Sequence, residues 1–240
     1  MARLESAYQI INDVALEVGL EPAADPYSST DQAFAQLRGL LKACGRELVT
    51  MYDWQILQKQ FTLTTQAGDT GTYNLPIDFN RFINQTGWNR TSNMPVPGPM
   101  SPQTWAMMTG RDFGSTTLYA SFMLSQNQMV LYPAPPPEGI EINFLYLSRN
   151  WVMESGGETN DTPDNGDDII LFDPILIVKF LKVKYLSAKG FDISVASREF
   201  DMCYMSITGY DKGAEILSAS GNRGFPYLNG NNVPFTGFGN

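Results

Sequence analysis

Histidine is absent from all 240 residues. That removes serine–histidine–aspartate and cysteine–histidine mechanisms, and with them the commonest zinc ligand. Two cysteines, Cys44 and Cys203, lie far apart in helical patterns. They read as buried reduced thiols rather than a disulfide, which fits a reducing compartment. Charge is sparse at 17%, and 25 acids against 16 bases leave a net charge of −9. A chain so acidic is ill suited to gripping phosphate backbones or anionic membranes. No apolar run approaches the roughly 18 residues of a membrane span. The opening MARLESAYQIINDVALEVGL mixes charged and apolar residues, unlike a secretory signal. The expectation is a soluble product of the cytosol, in which the sequons at Asn84, Asn89 and Asn160 carry no meaning.

Other chemistry is missing as well. There is no GxxxxGK[ST] loop, and the glycines between 221 and 230 follow a helix rather than a strand, so they form no dinucleotide fingerprint. Residues 154–168, ESGGETNDTPDNGDD, are rich in acid and contain no base. A calcium loop fails there because Pro163 takes a ligand position and Phe172 stands where the closing glutamate belongs. A glycosidase pair could be sought in Asp78 or Glu141 beside Trp88 and Trp105, but no nucleophile has a plausible activator. The reading is a protein that is not an enzyme and needs neither cofactor nor metal.

What is present is pattern. Ala7, Ile10, Ile11, Val14, Ala15 and Val18 form one helical stripe, stopped by Gly19. A second helix starts at Thr30 or Asp31 and carries Phe34, Leu37, Leu41, Cys44, Leu48 and Tyr52 on one face. From Gln60 the period changes to that of strands, with Phe61 and Leu63, then 116–124, 128–133 and 140–147, separated by proline and glycine turns. Helix returns at Asp173–Pro174, a cap followed by the proline favoured in a first turn, and ends at Gly190. Lys179, Lys182 and Lys184 read as an exposed stripe on it. A last helix from about Ser194 repeats Ala196, Phe200, Cys203, Ile207, Tyr210, Ala214 and Leu217.

The resulting fold class is α+β: a helical bundle formed by N- and C-terminal helices, an inserted antiparallel β-sandwich or barrel-like domain, and an extended C-terminal arm. Its boundaries are 1–58 for the N-terminal helices, 59–153 for the β domain, 154–172 for an acidic linker loop, 173–219 for the C-terminal helices and 220–240 for the arm. Phe225, Tyr227, Phe235 and Phe238 give that arm anchors for a partner.

The densest stretch is 73–105, with prolines at 76, 95, 97, 99 and 102 and charges only at Asp78, Arg81 and Arg90. It reads as a shaped surface without chemistry, its indoles packed on its prolines. A stacking site for sugars is the alternative, which would make the chain a carbohydrate- or receptor-binding tail module.

The order WQIL (54–57), YNLPIDFNRF (73–82), TGWNRT (86–91), GPMSPQTW (98–105), LYPAPP (131–136) and YLSRNW (146–151) resembles the head-to-tail adaptors of short-tailed bacteriophages, the group that includes tail tubular protein A. The resemblance implies a dodecamer ring between portal protein and tail nozzle protein, passing double-stranded DNA without gripping it. It implies a virion protein of the tail or neck, assembled in the host cytoplasm, with no membrane partner. On that footing Phe225, Tyr227, Phe235 and Phe238 dock on the portal. Trp88, Arg90, Pro99 and Trp105 meet a neighbouring subunit or the nozzle. Glu158, Asp161 and Asp164 line the channel or face solvent.

Overall fold

The computed structural model describes residues 4–84, 86–110 and 121–211. It is α+β, with helices at both ends of the described chain and three antiparallel sheets. Strand β1 (Glu5–Ser6) runs into helix α1 (Ala7–Glu17). Ser6 opens α1 through a capping box: its hydroxyl accepts from the Gln9 N–H while its own N–H donates to the Gln9 side chain. Asn12, also buried, folds the following loop back by pairing with the N–H and C=O of Ala23 at 3.1 and 3.0 Å. Helix α2 (Gln32–Met51) is capped by Asp31 and buries Phe34, Leu37, Leu41, Cys44 and Leu48. Burial raises the Cys44 thiol to about 12, so it stays protonated and inert; both cysteines are free.

Strands β2 (Gln58–Thr64), β3 (Thr72–Asn74), β4 (Phe79–Phe82), β5 (Trp88–Asn89) and β6 (Met94–Pro95) follow. After helix α3 (Pro102–Gly110) come β7 (Ser121–Ser125), β8 (Gln128–Tyr132) and β9 (Glu141–Ser148). One sheet runs β2-β9-β5-β6 with β4 also on β9; another runs β3-β8-β7. Gln126 and Asn127, at φ 49° and 61°, make the tight turn between β7 and β8. Both sheets contribute to one core, with Phe144 and Ile142 from β9, Met129 and Leu131 from β8 and Phe122 from β7.

The other core is mainly helical. Helix α4 (Pro174–Lys189), capped by Asp173 and closed by Gly190 at φ 75°, packs on α1, on α2 and on helix α5 (Ser194–Asp211). Three small strands, β10 (Val152–Met153), β11 (Thr159–Asn160) and β12 (Ile169–Ile170), join β1 in a sheet of order β1-β12-β10-β11. Trp151, Val152, Ile170 and Phe172 fill this core from the side.

Four expectations change. The stretch 154–168 is not a bare linker: it contains β11, and its loop is drawn in by the buried Asp168, whose carboxylate accepts the N–H groups of Asp164 and Asn165, both at 2.8 Å. SPQTW is helical, because Ser101 caps α3 through the Thr104 N–H at 3.2 Å and Pro102 takes the first turn. Tyr210 is 85% exposed, on the outer side of α5. The lysines of α4 are not a plain exposed stripe. Lys179 binds Glu199 of α5 at 3.1 Å, Lys182 binds Glu17 of α1 at 2.9 Å and Lys184 binds Glu47 of α2 at 2.7 Å. An apolar central helix must turn its few charges outward along its stems, and each finds an acid on a different neighbour. The strand at 116–120, the end of the last helix and the arm lie outside the described residues.

Candidate assembly surfaces

Asn89 shapes the surface around the first indole. Its side-chain oxygen, buried, accepts the N–H groups of Thr91 and Ser92 at 3.0 and 3.1 Å, which closes the turn between β5 and β6. Thr91 then donates to the Gly139 carbonyl and accepts from the Glu141 N–H, each at 3.0 Å. Trp88 is thereby held half-buried on the sheet, opposite Pro95 on one side and Asn143 on the other. The Asn143 Oδ1 beside it is buried without a hydrogen-bond partner. Arg90 and Pro99 are exposed.

Trp105 belongs elsewhere. It rises from α3 and meets Tyr132 of β8 edge-on, with ring centroids 6.0 Å apart. Trp88 thus stands on a strand of one sheet, and Trp105 on a helix packed against β8 of the other.

Asp78 is buried and fully engaged. Its carboxylate accepts from Lys59 Nζ at 2.6 Å, Ser148 Oγ at 2.7 Å and Tyr146 OH at 3.0 Å. Burial pushes its pKa up, but the bonds from Lys59, Ser148 and Tyr146 outweigh that and hold it below the ordinary carboxylate value. Burial, then the bond to Asp78, raises the Tyr146 phenol. Lys59 also reaches Thr159 Oγ1 of β11 at 3.0 Å. The cluster ties β2, the start of β4, β9 and β11 together. Glu141 stands at the opposite end of β9, roughly 24 Å of strand away, far beyond the ~5–9 Å of a glycosidase pair. The sequence shows Tyr146 and Ser148 only as part of a strand and a motif, and Lys59 and Thr159 not at all, so their polar cluster is not legible there. Their one trace is polar Tyr146 and Ser148 continuing the face of Ile142 and Phe144.

The acids at 154–168 lean on α2. Asp164 binds Lys42 at 3.2 Å and Asp161 lies 3.8 Å from Arg46, while Glu158 is exposed. Phe225, Tyr227, Phe235 and Phe238 fall outside the described residues. Among the described residues no group of three or more acids and thiols could hold a metal ion, and no helix is long and apolar enough to cross a membrane.

The geometry offers braced surfaces and turns. No curated protein matches the chain. The model of the SU10 adaptor protein family matches residues 6–197, from the cap of α1 through both cores into the first turn of α5. With a match of that extent the chain belongs to the SU10 adaptor protein family, and it is a structural adaptor protein of a bacteriophage.

Proposed function

We propose that the protein is the head-to-tail adaptor of its virion, a ring of identical copies, twelve by the likeness to short-tailed phages, seated between portal and tail nozzle. The ring continues the DNA channel and helps retain and then pass the genome. The family match over 6–197 carries this reading. Within it the helices form a bundle that builds the ring body, the inserted β-sandwich-like domain of 59–153 projects from it, and 220–240 reaches the portal through Phe225, Tyr227, Phe235 and Phe238. Trp88, Arg90, Pro99 and Trp105 serve a neighbouring subunit or the nozzle. Glu158, Asp161 and Asp164 line the channel. Lys42 and Arg46 offset two of those acids and leave the segment acidic, so passing phosphates meet few cations and slide.

Mass photometry of the chain with and without purified portal tests the ring. A portal-bound multimer is expected; the absence of any complex overturns the reading. Deleting 220–240 should weaken portal attachment and leave melting unchanged, and undiminished attachment overturns the role of the arm.

A further inference from the structure

Two apolar faces of the helical half are uncovered. On α5, Val195, Arg198, Met202 and Met205 follow three-four-three spacing and so share one side of the helix. Val195, Met202 and Met205 are 69%, 67% and 72% exposed, whereas Ala196 and Phe200 on the other side are buried. Between α1 and the start of α4 lies a groove lined by Asp13, Leu16, Glu17, Ile175, Val178 and Lys179. Leu16 and Ile175 at its lips are 60% and 61% exposed. Single exposed apolar residues are ordinary, but clusters such as these mark contact surfaces, and methionines adapt readily to a partner.

The charges on the two faces are opposite. Arg198 is exposed and forms no ion pair with any described residue, and the same holds for Asp13. Of the neighbouring charges, Glu17 binds Lys182 and Lys179 binds Glu199, while Glu5 adds a further acid to the groove and Asp201 lies one turn beyond Arg198 on α5. One face thus presents an unpaired cation among Val195 and Met202. The other presents an unpaired carboxylate beside Leu16 and Ile175. Within one copy α1 and α5 each pack on α4, joined at its side by Lys179–Glu199, and the α5 stripe is turned away from that packing, opposite the buried Ala196 and Phe200. Within a ring, a contact that joins these two different faces is head-to-tail.

We infer that the α5 stripe of one copy seats in the α1–α4 groove of the next, with Arg198 facing Asp13. The inference rests on the ring reading above and names the subunit contact within it.

The test uses the full chain carrying Cys203→Ser, since Cys44 is buried. Met202→Cys and Ile175→Cys are prepared as separate single variants and oxidised alone, mixed, and mixed with purified portal. A covalent dimer formed in the mixtures, and not by either variant alone, is expected. Arg198→Glu should reduce that yield about tenfold and the double variant Arg198→Glu/Asp13→Arg should restore it, with unchanged circular dichroism. If portal-bound multimers form while the mixtures give no mixed dimer, the contact is wrong and the ring stands. If Met202→Cys alone gives the dimer, the stripe pairs with itself and the head-to-tail contact is overturned. Protection of the thiol introduced by Met202→Cys by the chain's own residues 212–240, seen as labelling that rises only on their deletion, overturns it too. If neither multimers nor dimers form, the ring reading and the contact fall together.

Discussion

A methyl group on Gly45 would stand 2.1 Å from a ring carbon of Trp151, a side chain with no exposure at all. Helix α2 therefore carries glycine where the indole lies flat against its backbone. Gly39 on the same helix has nothing within 4 Å of its added Cβ. We expect Gly45→Ala to lower stability by about 2–3 kcal/mol through overpacking. Gly39→Ala should raise it by about 0.5–1 kcal/mol through helix propensity. Urea unfolding of both variants decides; equal effects mean that Trp151 can shift aside. Asp78 makes a pH-dependent contribution. Its pKa is depressed in the folded chain, so its stabilisation is present above the unfolded value, near pH 4, and is lost as pH falls through the folded one. Asp78→Asn should cost about 2–3 kcal/mol at pH 7, because Lys59 is left without its charge partner. The gap to the wild type should narrow as pH falls below the unfolded value and close once it passes the depressed folded one. A gap that persists there shows that packing, not charge, holds the cluster.

At the scale of elements, α3 is held at its start and buries none of its residues. Losing the Ser101 hydroxyl should therefore cost local order rather than the fold. Ser101→Ala should speed amide exchange across 102–110 by about fivefold, equivalent to about 1 kcal/mol, while exchange in α4 stays unchanged. Uniform acceleration would place α3 in the global core instead. This helix also marks where the sequence becomes hard to read. The long helices were legible because their apolar spacing, their caps at Asp31 and Asp173 and their stop at Gly190 agree with one another. In α3 the prolines around it read as turns, and only Ser101–Pro102 signals the helix. The strands of two residues, β10 to β12, carry no period at all. They exist because distant segments pair, Val152 with Ile170 and with Asn160. The Asp78 cluster was hidden for the same reason: Lys59, Tyr146 and Thr159 lie far from it in the chain and become its neighbours only through sheet register and the β11 pairing.

For the whole molecule, the family match and the two cores agree on an adaptor whose helices and sheets are built together. Strand β9 joins them. Ile142 and Phe144 enter the sheet core, and Leu147, on the alternate face, enters the helical one. Lys59 bridges Asp78 to Thr159 across the same boundary, and Arg81 of β4 binds Asp53 just after α2 at 2.5 Å. A push on the sheets therefore reaches the helices through strand backbone, two ion pairs and packed side chains. In mechanical terms the two cores are coupled rather than merely tethered. Load applied to one core passes to the other along β9, whose alternate faces enter both.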